Sequence, residues 1–131
     1  MRTAGELIRL YYQALDHRRL DDLEELFAPE ATSEIPGRLS QGVQAIRAGL
    51  AAAYGLGLHT DHVIGHLLES GPVAICELRS ANRVKSQTFS VSGAVVVEAA
   101  NGKILRLVAY PQAVEFAAFR AGMAAAAASS A

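Results

Sequence analysis

Residues 87–111 read QTFSVSGAVVVEAANGKILRLVAYP, which is two runs rich in β-branched residues on either side of Asn101-Gly102. A type I′ turn needs a positive φ at both central residues, and asparagine followed by glycine adopts that conformation at low cost. From Phe89 to Val97 the apolar residues fall on every second position, as in a strand with one buried face. The segment therefore predicts a β-hairpin of two long strands.

This hairpin is predicted to have an apolar inner face and a polar outer face. The inner face carries Phe89, Val91, Gly93, Val95, Val97, Leu105, Leu107 and Ala109, and the outer face carries Ser90, Ser92, Arg106 and Tyr110. Gly93 and Ala109 are small, so they leave space beside the inner face, and a bulky residue at Gly93 is expected to fill that space. We therefore expect the hairpin to form one wall of an apolar pouch.

The segment before the hairpin begins with helices. Thr3 and Glu6 match a capping box, and apolar residues then recur at helical spacing to about residue 17. A short second helix is predicted over residues 20–27 and is expected to end at Pro29, since proline cannot continue a helix. A short strand is predicted over residues 31–35.

A third helix and more strands are predicted before the hairpin. Ser40 is expected to cap this helix and Gly55 to end it. Residues 56–69 predict a strand with a bulge, and residues 73–83 alternate cleanly. The inner positions of that alternation are Ala74, Cys76, Leu78 and Ser80, and the outer positions are Ile75, Glu77, Arg79 and Ala81.

The chain of 131 residues is predicted to be one domain over residues 1–121 with an alanine-rich tail over 122–131 that favours helix. A terminal helix is predicted over residues 112–123, with Val114, Ala118 and Phe119 turned inward. Helices followed by a curved antiparallel sheet make an α+β fold.

Charge and cysteine content exclude several functional classes. The formal net charge is −1, which provides no attraction for nucleic acid or an anionic membrane. Cys76 is the one cysteine, so no internal disulfide can form, and we expect a reducing, cytoplasmic location. The first residues include no uninterrupted apolar run, so neither a signal peptide nor a membrane span is expected.

Several short motifs resemble the nuclear-transport-factor-two-like superfamily. These are YYQALD at residues 11–16, LFAPEA at 26–31, Gly42 before the third helix, and GKI followed by AYP within 102–111. The superfamily includes ketosteroid isomerases, limonene epoxide hydrolases and SnoaL-like polyketide cyclases. The resemblance implies a cone-shaped fold, in which N-terminal helices cover a curved antiparallel sheet, and a homodimer formed through the outer sheet face. That face would bear Glu77, Arg79, Ser90, Ser92, Arg106 and Tyr110.

The resemblance also implies which residues would carry chemistry. Tyr11 matches the phenol that ketosteroid isomerases use as a hydrogen-bond donor to a developing enolate. The isomerase base would fall at Ile35 and its second acidic donor at or beside Gly93, and neither residue transfers protons. Isomerisation by that mechanism is therefore not expected.

The Asp-Arg-Asp set of the epoxide hydrolases is also missing. The matching strand positions are Glu77-Leu78-Arg79, in the reverse charge order, and the third carboxylate is replaced by Ala109. Ser33 and Ile35 stand where a tyrosine and an asparagine help to hold the water. A new site built on Glu77 and Arg79 is one alternative, and an exposed ion pair or dimer contact is the favoured one.

His59, Asp61, His62 and His66 form the one cluster of ligand-type side chains. In a regular strand His62 and His66 share one face and the other two share the opposite face, so no metal site is expected. Either His62 or His66 is a candidate acid or base, because imidazole titrates near neutrality. Surface histidines are the simpler interpretation. Cys76 is expected to be a core residue, and the sequence has no nucleotide-binding loop, so no cofactor is expected.

Three functional hypotheses remain. The first is a binding pouch for a small apolar molecule, lined by Tyr11, Ile35, Cys76, Leu78, Phe89, Val91, Gly93, Leu107 and Ala109. The second is an enzyme of the cyclase, isomerase or hydrolase type that uses Tyr11 with His62 or His66, or with Glu34 or Glu77 after a register slip. The third is a dimeric association module whose pouch is simply core.

Overall fold

In the computed structural model, which describes residues 1–129, helices pack on one face of a curved, open, six-stranded sheet. The helices are α1 (Ala4–Asp16), α2 (Leu23–Leu26), α3 (Val43–Gly55) and α4 (Ala113–Ser129), and a single 3₁₀ turn (Leu20–Asp22) precedes α2. The strands are β1 (Phe27–Ile35), β2 (Arg38–Gln41), β3 (His59–Ser70), β4 (Val73–Val84), β5 (Gln87–Ala100) and β6 (Lys103–Pro111). The predicted α+β class is confirmed.

The β5–β6 hairpin lies at the centre of the sheet, whose strand order is β2-β1-β6-β5-β4-β3. Asn101 and Gly102 have φ values of 53° and 75°, and Ala100 pairs with Lys103 across them. This is the predicted two-residue turn. All neighbouring strands are antiparallel except β1 and β6, which are parallel, so the sheet is mixed.

The predicted inner face of β4 and β5 is confirmed by burial. Ala74, Cys76, Val95 and Val97 are each at most 2% exposed and belong to the main core, into which α1 also packs. The predicted outer residues Glu77, Arg79 and Ala81 are exposed. Alternation continues in β6 with one correction: Ile104, not Leu105, is fully buried, because the pairing with β5 shifts between Glu98 and Ala99.

Two predictions near the N-terminus are wrong. Helix α2 ends at Leu26, and Pro29 lies inside β1. Proline is tolerated there because the β1–β6 register is irregular between Phe27 and Thr32, where an N–H is not required. Strand β2 was not predicted, and Ser40 pairs with Ser33 in that strand instead of capping α3.

The C-terminal helix continues into the alanine-rich tail, as the composition favours, and its inward face differs in part from the predicted one. It continues without a break to Ser129; Ser130 and Ala131, the end of the predicted tail, lie outside the described residues. Val114 is 74% exposed, contrary to prediction, and Ala118 is exposed as well. The partly or fully buried stripe contains Phe119, as predicted, together with Phe116, Met123 and Ala126, and these residues follow helical spacing. Over residues 1–129 no helix is both long and apolar enough to cross a membrane.

Candidate functional site

A cavity of about 230 Å³ lies between α1, α4 and the inner face of the sheet. Most of its lining is apolar, and the polar side chains that reach it come from α1 and from strands β1, β3, β4 and β5. The polar or aromatic residues with a hydroxyl, amide or imidazole group are Tyr11, Tyr12, Ser33, Thr60, His62, Ser80, Asn82 and Ser92. An apolar void with a few polar groups is typical of a small-molecule site.

Tyr11 and Tyr12 both line this cavity and are 5% and 6% exposed. Within residues 1–129 neither hydroxyl has a hydrogen-bond partner. In this part of the chain every fully buried polar side-chain atom has a partner, so both hydroxyls must keep some accessible surface. Burial is the main cause that raises the pKa of both phenols well above the ordinary value. The two groups therefore remain protonated at neutral pH as unused donors.

His62 is held against Asp16 at the cavity wall. Its Nδ1 lies 2.5 Å from Asp16 Oδ1, and its side chain is only 9% exposed. Because a carboxylate only accepts, Nδ1 carries the proton of this bond, which leaves Nε2 as the second ring nitrogen. Among the described residues Nε2 has no hydrogen-bond partner, and His62 belongs to the lining of the cavity.

Asp16 is fixed in turn by two further donors from β3. The Thr60 hydroxyl donates to Oδ1 at 2.9 Å and the His62 backbone N–H donates to Oδ2 at 2.8 Å. The Tyr12 ring packs against the imidazole, with the two ring centroids 4.6 Å apart. The histidine is therefore oriented by a carboxylate and an aromatic ring, which is the arrangement that supports proton transfer.

The two candidate histidines are separated by a bulge in β3. The pairing with β4 shifts between Ile64 and Leu67, so the alternation reverses after Ile64. His66 is 94% exposed and its Nδ1 contacts Glu77 Oε1 at 2.6 Å on the outer face, where the same oxygen also accepts from the His66 backbone N–H at 3.0 Å. The prediction that both histidines share a face is therefore wrong, and only His62 reaches the cavity.

Helix α4 covers the cavity with Phe116 and Phe119. It is fixed to β5 beyond the end of β6: the Gln112 backbone N–H donates to Ser92 O at 2.8 Å, and the Ser92 N–H and hydroxyl donate to Glu115 Oε1 at 2.9 and 2.7 Å. These bonds lower the pKa of Glu115. Ser92 is thus committed to α4, which corrects its predicted place on a free outer face.

A second void of about 350 Å³ adjoins the first between α3, α4 and the β1–β2 hairpin. Tyr11, Ile35 and Phe116 contribute to both voids. Arg38 and Arg120 line the outer part of the second void, and Arg120 Nη1 donates to the carbonyl oxygen of Pro36 at 3.3 Å. The cavity therefore extends toward solvent between two helices.

The structure brings most of the predicted pouch residues together. Tyr11, Ile35, Leu78, Val91, Gly93, Leu107 and Ala109 line the cavity. Cys76 lies beyond it in the main core, where burial raises the pKa of its thiol. Phe89 packs instead on Phe119 of α4, with ring centroids 6.2 Å apart, because α4 covers this end of β5. These two residues are therefore not part of the lining.

The positions that would carry family chemistry are apolar or lie outside the cavity. Ile35, Gly93 and Ala109 line the cavity without a titratable group. Glu34 and Glu77 are exposed, so no register slip brings either carboxylate inside. Hydrogen bonds from the His66 backbone and ring are the main causes that lower the pKa of Glu77. No group of three or more His, Cys, Asp or Glu residues lies close enough to hold a metal ion in residues 1–129.

Five polar residues of the lining or its support have no predicted role in the site, although Ser80 is predicted on the inner face: Tyr12, Asp16, Thr60, Ser80 and Asn82. A weak signal exists for the first two, because Tyr12 and Asp16 are four residues apart and so share one helix face. Thr60 and His62 are likewise two apart on one face of a strand. The pairing of Asp16 with His62 has no local signal, since the residues are 46 positions apart.

Solved structures of similar fold come from several bacteria. A limonene-epoxide-hydrolase-like epoxide hydrolase from Mycobacterium tuberculosis is 17% identical, with a TM-score of 0.80 over 93% of this chain and 92% of that one. A protein from Shewanella denitrificans, provisionally described as a SnoaL-like polyketide cyclase, is 14% identical with a TM-score of 0.78 over 86% and 92%. A provisionally described polyketide cyclase from Sinorhizobium meliloti is 24% identical with a TM-score of 0.66 over 80% and 94%.

Likeness at this level of identity establishes the fold, not the activity. No curated protein is significantly similar to the chain in sequence. The model of the SnoaL-like domain, in contrast, matches residues 8–107, which include the Tyr11–Tyr12 pair, Asp16 and His62. Because this match spans more than half of the 131 residues, the chain belongs to the SnoaL-like family.

Proposed function

We propose that this protein binds a small, largely apolar carbonyl compound in the cavity and transfers a proton at the carbon beside the carbonyl group. The observation that carries the proposal is the contact of 2.5 Å between His62 Nδ1 and Asp16 Oδ1 at the cavity wall, where the His62 side chain is only 9% exposed. A neutral imidazole with its Nδ1–H held by a carboxylate presents Nε2 as a base.

The proposed step is the removal and return of one proton. Nε2 of His62 takes a proton from the carbon next to the carbonyl, the C–H electron pair moves to form an enolate, and the negative charge collects on the carbonyl oxygen. The hydroxyls of Tyr11 and Tyr12 donate hydrogen bonds to that oxygen. Donors placed in a buried, apolar site stabilise a developing oxyanion more strongly than water does. The protonated His62 then returns the proton to the same carbon or to another atom of the enolate.

This arrangement differs from that of a ketosteroid isomerase in the place of the base. The wall that would carry the isomerase base holds Ile35, and His62 lies instead on β3, beside the aromatic pair from α1. Tyr11 is then the hydrogen-bond donor, as in a ketosteroid isomerase, but the base comes from a different strand. The proposal therefore needs no carboxylate at residue 35 or 93.

A ligand-binding protein without catalysis is the second candidate. The observation that favours it is the covering of the apolar cavity by Phe116 and Phe119, which gives affinity for an apolar molecule independently of His62. The two candidates share one site and differ only in whether a proton moves.

Hydrogen exchange of 1-tetralone, a bicyclic aryl ketone, tests both candidates. In D₂O the wild-type protein is expected to speed deuterium incorporation at the carbon beside the carbonyl, as measured by mass spectrometry. His62→Gln is expected to lower that rate by about 100-fold or more while ketone affinity changes by less than about threefold. His66→Gln is the matched control, because His66 is exposed on the opposite face, and it should keep the wild-type rate.

Each result has a distinct meaning. Equal exchange rates for wild type and His62→Gln would refute the role of His62. Binding of 1-tetralone by the wild type without any acceleration would leave the ligand-binding function and remove the catalytic one. A wild-type protein that does not bind the ketone would refute both.

A further inference from the structure

Asn82 is the most completely buried polar residue of the described chain apart from the tyrosines, at 6% exposure, and it lines the cavity. It lies near the end of β4, opposite Thr60 of β3. A buried amide normally has both its donor and its acceptor paired, because an unpaired polar group in an apolar site costs about 1–3 kcal/mol.

The orientation of this amide is determined by its partners. Nδ2 donates to the carbonyl oxygen of Phe89 at 3.1 Å and to the Ser80 hydroxyl oxygen at 2.8 Å. A carbonyl oxygen only accepts, and the Ser80 hydroxyl gives its one hydrogen to Val91 O at 3.1 Å. Both partners therefore require the nitrogen at this position, and Oδ1 must point the other way.

Oδ1 has no donor partner. Within residues 1–129 no hydrogen bond reaches Oδ1. Every fully buried polar side-chain atom of these residues has a partner, so Oδ1 must keep some accessible surface, and Asn82 lines the cavity. Carbonyl and ether oxygens of a ligand carry no hydrogen to give to this acceptor. A hydroxyl group does, and it would pair with an acceptor that the fold leaves unused.

The strand register gives the separation between the positions of Asn82 and the proposed base, His62. His62 lies opposite Ser80 and Thr60 lies opposite Asn82, so His62 and Asn82 are diagonal neighbours across β3 and β4. Diagonal neighbours on one face of an antiparallel pair are about 7–8 Å apart. A ligand whose reacting carbon lies at His62 would thus place a hydroxyl at Asn82 if that hydroxyl were about 7 Å away.

We propose that Asn82 determines substrate specificity by accepting a hydrogen bond from a hydroxyl group of the ligand, so that the substrates are hydroxylated ketones. The proposal rests on the proposed function and narrows its substrate class. The ketone oxygen is bound by Tyr11 and Tyr12, and the hydroxyl at the far end is bound by Asn82. Ketones without a donor at that end leave Oδ1 unpaired and bind less tightly.

Three ketones of one shape test this inference: 1-tetralone, 6-hydroxy-1-tetralone and 6-methoxy-1-tetralone. Affinities are measured by titration calorimetry at a pH below the pKa of the phenol, so that the hydroxyl keeps its hydrogen. The wild type is expected to bind the hydroxy ketone about tenfold more tightly than the methoxy ketone, which accepts but does not donate. Asn82→Leu should abolish that ratio and leave 1-tetralone affinity within about threefold.

Ser80→Ala is the matched control, because it removes a partner of Nδ2 and keeps Oδ1. It is expected to retain the preference for the hydroxy ketone. If Asn82→Leu does not fold, the ratio of the hydroxy to the methoxy ketone in the wild type decides alone. Equal affinities for the three ketones, or a preference that persists in Asn82→Leu, would overturn the role of Asn82. Failure of the wild type to bind 1-tetralone would instead contradict the proposed function itself.

Discussion

Replacing Asp16 by asparagine is the sharpest perturbation of the candidate site, because it keeps the shape of the side chain and removes its charge. Asp16 accepts three hydrogen bonds, at 2.5 Å from His62 Nδ1, 2.8 Å from the His62 N–H and 2.9 Å from the Thr60 hydroxyl. An asparagine has one acceptor oxygen, so the two bonds from the His62 ring and backbone cannot both be kept. If its NH₂ group turns to the ring, Nδ1 must accept and the ring proton moves to Nε2.

The magnitudes follow from that change. With its proton on Nε2 the neutral imidazole no longer presents a base to the cavity, so the exchange rate of 1-tetralone should fall by about 10²–10⁴-fold. The three charge-assisted hydrogen bonds to the carboxylate are replaced by neutral ones, which should lower the free energy of unfolding by about 2 kcal/mol. The melting temperature should then fall by about 6–10 °C for a domain of this size.

Two measurements on the same preparation check this prediction: exchange at saturating ketone, and thermal unfolding followed by circular dichroism. Asp61→Asn is the matched control, since Asp61 is exposed on the opposite face of β3 and should change neither quantity. A wild-type exchange rate in Asp16→Asn would refute the argument that the carboxylate orients His62, whatever happens to stability.

Two further predictions concern the fold around the cavity. Gly93→Ala should lower the free energy of unfolding by about 2 kcal/mol in urea titrations, because a Cβ there would lie 2.4 Å from the Tyr110 carbonyl oxygen. Gly55→Ala is the control and should not destabilise the protein, because nothing lies within 4 Å of a Cβ at that position. Equal stabilities of the two variants would contradict this reasoning. The pKa of Glu115 is lowered from 4.5, mainly by the hydrogen bond from the Ser92 hydroxyl. The contribution of Glu115 to the stability of the fold is therefore present above pH 4.5 and is lost as the pH falls through the pKa of Glu115 in the folded protein. Glu115→Gln should therefore be less stable than wild type at pH 7, with a difference that shrinks in acid, and a difference independent of pH would show that the carboxylate charge does not fix α4.

The close contacts around Gly93 change how a bulky substitution at this position must be interpreted. The alternation in β5 places residue 93 correctly on the cavity wall, and from the sequence alone a bulky substitution there is expected to fill the cavity. The structure shows that backbone atoms of Tyr110 and Pro111 occupy the space beside its Cα. A Phe at this position would disrupt the end of β6, and Ala109 is the better position for a filling substitution.

The sequence by itself determined the features whose causes are local. The Asn101-Gly102 turn, the capping box at Thr3 and the alternation of β4 depend on neighbouring residues, because dihedral preference and side-chain period act over a few positions. The predicted faces of β4 and β5, and with them most of the cavity wall, follow from those periods. The SnoaL-like assignment likewise comes from the sequence, through the match to the family model over residues 8–107.

Only the tertiary structure decided which polar side chains meet. The bulge after Ile64 sends His62 inward and His66 outward, and its position depends on pairing with β4 rather than on β3 itself. Asp16 reaches His62 because α1 packs on β3, and Ser92 is taken by Glu115 because β6 ends before β5 does. Contacts between distant residues are set by how elements pack against each other, and local periodicity carries no information about that packing.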